Sequence, residues 1–200
     1  MSKPSRRDTK VDRCDKCRIN YRWCFCDHIR DIPSKIHVSI VMHYTERWLT
    51  SNTAYFASLV LPSCTIHERG NIDIPIPDEP FSQDHDYLYL FPTEDSKPIS
   101  EFVASDKPIH LVVPDGSWSK AKKIHKREDL FKDMPKYHLT DVGESRYQLR
   151  KSPGENFLCT YEAIAHTLSV LDKEEVKDEM LEFFDIFVDR VLQSRRGEFP

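Results

Sequence analysis

Four of the six cysteines, Cys14, Cys17, Cys24 and Cys26, follow the pattern Cys-x2-Cys-x6-Cys-x-Cys. Four thiolates are enough for a tetrahedral metal site, and they leave no position for a reacting water, so the expected role is structural. In a reducing compartment such a cluster points to a metal before it points to disulfides. The short gap between the two pairs predicts a compact zinc knuckle that is ordered by its ion. An iron–sulfur centre takes the same ligands and stays open as the alternative. Cys64 and Cys159 stand alone.

A second group is Pro114-Asp115-Gly116-Ser117-Trp118, set between an apolar strand and a Lys-rich amphipathic segment. Ligands of open α/β sheets bind beyond the carboxyl ends of strands, which is where this pentapeptide falls. Asp115 is a candidate base, Gly116 permits a tight turn, and Trp118 offers a flat face for a nucleobase. A plain turn with one packed Trp would look the same. A third group is Ser145-Arg146-Tyr147-Gln148-Leu149-Arg150, followed by Leu158-Cys159-Thr160-Tyr161-Glu162-Ala163. Arg146 and Arg150 around an aromatic suit phosphate and base contacts. Thr160 reads first as a helix N-cap. A fourth runs from His43 through Glu46, Arg47 and Trp48 to Asn52 and Thr53, again after a strand; a lone His43 there is by default a packing residue.

The elements that must position these groups are legible as periodicity. Ile36, Val38, Ile40 and Met42 alternate and predict a strand ending near His43. An apolar stretch through Leu61 predicts a helix stopped by Pro62, and Tyr87–Phe91 predicts a short strand. Residues 71–86, rich in Pro, Asp and Glu, predict a surface loop, and Ile99–Ala104 a short helix. Ile109–Val113 reads as a strand ended by Pro114, Ser119–His125 as a helix, and Tyr137–Leu139 as a short strand. Two helices follow, Thr160–Leu171 and Glu174–Gln193, the second with Val176, Met180, Phe183, Phe184, Phe187, Val188 and Val191 on one face. Strands alternating with helices predict an α/β fold on a parallel sheet. The expected division is a basic tail and knuckle at 1–30 and a catalytic domain at 31–200.

At 200 residues with 39% hydrophobic content the chain can bury a substantial core. The net charge of −4 weighs against a protein that coats nucleic acid, though a local basic patch would suffice for RNA. No apolar run reaches the roughly 20 residues of a membrane span. The first residues, Met1 to Asp8, carry charge with no apolar stretch after them, so a cytoplasmic protein is expected, with no membrane contact and no obligate protein partner.

Taken in order, the four groups resemble the DTW-domain family, over roughly residues 14–170. The family's pattern has a Cys-x2-Cys…Cys-x-Cys cluster, a His…Glu…Thr-Asn-Thr stretch, Asp-Gly-Thr-Trp, and Tyr-x-Leu-Arg…Ser-Thr-x-Glu-Ala. This chain departs at Ser51 for Thr, Ala54 for Gly, Ser117 for Thr and Cys159 for Ser. The acid and the aromatic of the third motif are kept, which implies retained activity.

The resemblance implies a SPOUT-like parallel sheet with a C-terminal trefoil knot that holds S-adenosylmethionine. It further implies transfer of the 3-amino-3-carboxypropyl group to N3 of a uridine in tRNA; a related branch modifies ribosomal RNA. Under that reading Asp115 is the general base. Gly116, Ser117 and Trp118 line the cofactor pocket, with Leu149, Thr160, Glu162 and Ala163 on its C-terminal side. Thr160 or Glu162 would orient the amino-acid part of the cofactor. Arg47, Asn52, Thr53, Lys122, Lys123, Arg146 and Arg150 are the expected RNA contacts, with Lys120, Lys126 and Arg127 extending the basic patch. A solvated helix face explains those lysines equally well. A methyltransferase on the same fold, or a zinc-dependent RNA-binding module without catalysis, are the competing readings.

Overall fold

A computed structural model describes residues 12–70, 84–149 and 157–198. Six strands, β1 (His37–His43), β2 (Cys64–Arg69), β3 (Asp86–Leu90), β4 (Lys97–Pro98), β5 (Ile109–Asp115) and β6 (Lys136–His138), form one sheet in the order β2-β1-β5-β3-β6-β4. Every pairing is parallel. Parallel neighbours need long crossovers, and the helices α1 (Thr53–Val60), α2 (Trp118–Arg127), α3 (Thr160–Leu171) and α4 (Glu174–Arg196) cover the two faces.

The period-2 pattern sorts the side chains. Val38, Ile40 and Met42 of β1, Leu88 and Leu90 of β3, and Leu111 and Val113 of β5 face the larger core, against α1, α3 and α4. The alternate residues Val41, Tyr89 and Val112 face a smaller core with Ala121 and Ile124 of α2 and Phe131. The α/β fold on a parallel sheet is as the residue pattern predicts.

The knuckle shares the larger core. Phe25 is fully buried and its ring lies 5.5 Å from Phe56, 5.7 Å from Phe183 and 6.0 Å from Phe187. Trp23 adds a hydrogen bond from its Nε1 to the Glu198 carbonyl at 2.5 Å. Residues 12–30 are therefore docked on α1 and α4.

Several boundaries differ from expectation. The strand expected to end before Pro114 runs through it to Asp115, with Pro114 opposite Val41; β3 pairs with β5 only as far as Val112, so at Pro114 the strand has a partner on one side alone, as at a sheet edge where proline is tolerated. The segment expected as a helix over Ile99–Ala104 is a single 3-10 turn, Ile99–Glu101, followed by extended Phe102. α2 starts one residue early, at Trp118, and extends to Arg127. α4 continues three residues past Gln193 and stops where Gly197 takes a left-handed cap. The strands β2 and β4 were not foreseen. Most of the acidic loop expected at 71–86, and the segment 150–156 that includes Arg150, lie outside the described residues, as does the basic tail before Asp12. The knot implied by the family resemblance depends on a chain path that includes residues 150–156. Among the described residues no helix is long and apolar enough to cross a membrane.

Candidate functional site

A cavity of about 760 Å³ opens at the carboxyl ends of β1, β3, β5 and β6. The sheet order places it where chain connections diverge: β1 has β2 on one side and β5 on the other. Its walls are mainly apolar, from Leu90, Phe91, Val113, Leu139, Val142 and Leu158. Volume and lining suit a small organic ligand held by a few placed polar groups.

Asp115 is the last residue of β5 and is 6% exposed. Its Oδ1 accepts a hydrogen bond from Thr160 Oγ1 at 2.5 Å. Gly116 follows with φ +153°, and a Cβ there would lie 2.9 Å from Lys120 Cβ. A side chain at 116 would push α2 off the sheet, so the turn needs glycine. Ser117 then caps α2, its carbonyl accepting from the backbone N–H of Lys120 and Ala121 at 2.7 and 2.9 Å. Trp118, first in the helix, meets Phe157 edge-on at 4.9 Å between ring centres, with Phe91 at 6.1 Å. These three aromatics make one wall.

The opposite wall is held by a carboxylate that does not line the cavity. Glu162 is 2% exposed and accepts from Ser145 Oγ (2.6 Å), Arg146 N (2.6 Å) and Cys159 N (3.0 Å). Its reach back to Cys159 makes Cys159, not Thr160, the N-cap of α3. The reason is register: with Thr160 inside the first turn its hydroxyl is turned to Asp115 instead. Burial and the Glu162 carboxylate push the Cys159 thiol well up, so Cys159 is not a thiolate nucleophile. Tyr147 donates its hydroxyl to the Ser51 carbonyl at 2.7 Å, closing the wall onto the turn after β1.

That turn brings in Glu46, which the fourth sequence group contains but to which no role was given. Glu46 is buried, lines the cavity, and pairs with Lys120 Nζ at 2.9 Å. Its signal was position alone, just past the carboxyl end of β1. Phe91 had the same signal; Phe157 had none. His43, at the end of β1, stacks on Tyr44 at 5.0 Å and lies 2.8 Å from Thr45 Oγ1. Burial and the Lys120 ammonium hold its imidazole below the usual value.

The expected cofactor residues Gly116, Ser117, Trp118, Thr160 and Ala163 line the cavity together with Asp115, whereas Leu149 and Glu162 do not. Asn52 and Thr53, expected to meet RNA, are buried and also line the cavity. Asn52 caps α1, accepting from Tyr55 N at 3.0 Å while donating to the Glu46 carbonyl at 2.9 Å. Arg47 is exposed and pairs with Glu68, and Arg146 pairs with Asp185. Lys122 and Lys123 are exposed on α2.

The Sγ atoms of Cys14, Cys17, Cys24 and Cys26 all lie within 4.8 Å of one another, with Cys14–Cys26 at 3.5 Å and Cys17–Cys24 at 3.7 Å. Ligands at the usual zinc–sulfur distance around a tetrahedral ion sit about 3.8 Å apart. Burial pushes the Cys17 thiol up to about 11, while at Cys14 the effect of burial is outweighed by backbone hydrogen bonds at Cys17 and Lys16, which bring that thiol down to about 7. The donor set fits a metal ion.

The family model described as DTW domain matches residues 11–192. The chain is 30% identical over 181 residues to tRNA-uridine aminocarboxypropyltransferase 2 of Drosophila melanogaster, covering 84% of this chain and 68% of that protein. Proteins of the same name from Mus musculus and Macaca fascicularis are 27% and 25% identical, again over 84% of this chain. The chain spans 59% of the length of each of these two. No solved structure matches.

Proposed function

Because the chain belongs to the DTW-domain family, we propose that it is a transferase that moves the 3-amino-3-carboxypropyl group of S-adenosylmethionine to N3 of a uridine in tRNA. The observation that carries this reading is the hydrogen-bonded Asp115–Thr160 pair, partly buried in a mainly apolar cavity beside Trp118. The names of the relatives support the reaction class and the tRNA substrate.

The cavity fits such a donor in its donor set: aromatic rings for a purine, hydroxyls of Ser117, Ser145 and Thr160 for a ribose or amino acid, and a size in the usual range for small-ligand sites. Bound there, the sulfonium supplies an activated carbon and a neutral leaving sulfur. Asp115 takes the N3 proton as the bond from N3 to the carboxypropyl carbon forms and that carbon's bond to sulfur breaks. Thr160 holds the accepting carboxylate in place. The aromatic wall of Phe91, Trp118 and Phe157 excludes water and fixes which carbon faces the nucleobase. Glu162 acts at one remove by keeping the wall at Ser145 and Arg146 closed. The four cysteines hold a structural zinc, and the knot implied by the resemblance belongs to this reading.

The test is incubation of the protein with tRNA and S-adenosylmethionine labelled in the carboxypropyl part, then digestion and mass analysis of the nucleosides. Labelled aminocarboxypropyl-uridine is expected. A methylated nucleoside instead would make the protein a methyltransferase, and no product from tRNA would overturn the reading.

A further inference from the structure

Trp48 is 63% exposed, and Tyr44 and Leu49 beside it are exposed as well. The indole has guanidinium groups next to it from two separate stretches of chain. Arg18 of the knuckle lies 5.2 Å from its ring centre and Arg47 lies 4.8 Å away, both within cation–π range. Arg18 is itself fixed: its Nη1 donates to the Arg47 carbonyl at 2.7 Å, and its guanidinium sits 3.3 Å over the Tyr55 ring. No carboxylate among the described residues forms an ion pair with Arg18, while Arg47 pairs with Glu68. A mobile surface Arg would not be held by three such contacts.

The turn that carries Trp48 is anchored at the cavity wall. Trp48 sits in a turn closed by Leu49 N to the Glu46 carbonyl and Asn52 N to the Leu49 carbonyl, each at 3.0 Å. The two feet of that turn, Glu46 and Ser51–Asn52, line the cavity wall. A ligand part resting on Trp48 is therefore next to whatever enters the site.

We propose that Trp48, with Arg18 and Arg47, is a stacking platform for an unpaired nucleotide adjacent in the RNA to the one whose base enters the cavity; this rests on the transferase reading. An exposed flat ring bordered by cations matches a nucleobase with its phosphate, since unpaired bases stack on aromatic and guanidinium planes. Trp, Tyr and Arg are enriched at protein interfaces as well, so a protein partner is the outcome that the binding comparison below separates from RNA. A duplex hides its base faces, so the platform selects a loop over a paired stem.

The experiment measures binding of a fluorescent stem-loop RNA with an unpaired uridine-containing loop, and of a blunt duplex of equal length. Wild type, Trp48→Ala, Trp48→Phe and Arg18→Ala are compared, with S-adenosylhomocysteine binding measured by calorimetry on each. The wild type should prefer the stem-loop. Trp48→Ala should weaken that complex roughly tenfold, Trp48→Phe should keep most of the affinity, and Arg18→Ala should reduce both the affinity and its salt dependence. S-adenosylhomocysteine should bind all four alike, which shows an intact cavity. Equal stem-loop binding by Trp48→Ala and wild type would overturn the platform and leave the transferase reading standing, with a protein partner as the use of the patch. Wild type indifferent to loop and duplex would also overturn it. If the wild type bound neither RNA, the platform would fall, while the transferase reading would stand or fall on the product assay with tRNA.

Discussion

Thr160 Oγ1 donates to Asp115 Oδ1 at 2.5 Å, joining the first turn of α3 to the last residue of β5 across 45 positions of sequence. A hydroxyl donor on one oxygen orients a carboxylate without neutralising it. Asp115→Asn should therefore lower transfer by two orders of magnitude or more, about the range of a general base, with S-adenosylhomocysteine affinity kept. Thr160→Val removes only the orienting bond and should lower kcat by roughly tenfold at little change in KM for RNA, while Thr160→Ser restores it. Single-turnover rates across pH check the pair. If Thr160→Val matched wild type in rate and pH profile, Thr160 would have only a packing role.

Glu162 is the member of the site whose position departs most from its expected use. Its oxygens accept from Ser145, Arg146 and Cys159 and are turned away from the cavity, so it does not act as a hydrogen-bond partner for a ligand there. Glu162→Ala leaves three donors without their acceptor and should cost about 3 kcal/mol or more in stability. Glu162→Gln keeps the shape and should cost less. Both should weaken S-adenosylhomocysteine binding in proportion to the lost order of residues 145–147. A Glu162→Ala protein with unchanged urea midpoint and unchanged ligand affinity would contradict this placement.

The central strands were legible because β1 alternates apolar residues and β3 and β5 are short apolar runs, and Asp115 was legible because a strand ends there in a glycine turn. β2 was not. It is an edge strand whose clearest apolar residue is Ile66, and its buried His67 is satisfied by a hydrogen bond with Ser39 instead of by packing. β4 is too short for any period to show. Glu46 was named in the fourth group, but its burial was hidden because a charged residue in a polar stretch gives no sign that it folds inward onto Lys120. Cys159 and Thr160 exchanged roles as cap because the cap is set by Glu162 reaching back, and either residue type can precede a helix.

The shared core makes the metal a matter of global stability. Cys17, Ile19, Trp23 and Phe25 are buried in the same cluster as Phe183, Phe184 and Phe187 of α4. Stripping the ion frees the segment that holds Phe25, and loss of a buried Phe costs about 3–5 kcal/mol. At about 2–4 °C per kcal/mol for a chain of this size, chelation or Cys17→Ser should lower the single melting transition by on the order of 10 °C. Metal analysis should give about one zinc per chain. A melting temperature unaffected by chelation of a zinc-loaded sample would separate the knuckle from the core.

A last consequence concerns acid. His110 is 1% exposed, its Nε2 lies 2.8 Å from Ser39 Oγ, and the same hydroxyl lies 3.1 Å from His67 Nε2. His37 meets the His110 ring edge-on at 4.5 Å, and His85 and Tyr87 pack at 5.5 and 5.1 Å. Burial, then the neighbouring imidazoles, push the His110 pKa down to about 3; His37 and His67 move the same way. Above the unfolded value of about 6.5 both states are neutral and nothing is lost. Between 6.5 and 3 the unfolded chain binds a proton that folded His110 refuses, so stability falls as pH drops, by up to about 1.4 kcal/mol per unit from this group, and levels off below 3. Urea unfolding at pH 7.5, 6.0 and 5.0 should show about 2 kcal/mol less stability at pH 5.0 from His110 alone. His110→Gln should flatten that slope in the same metal-loaded state, which separates it from proton competition at the cysteines. An identical slope in the variant would mean that His110 takes up its proton in the folded protein.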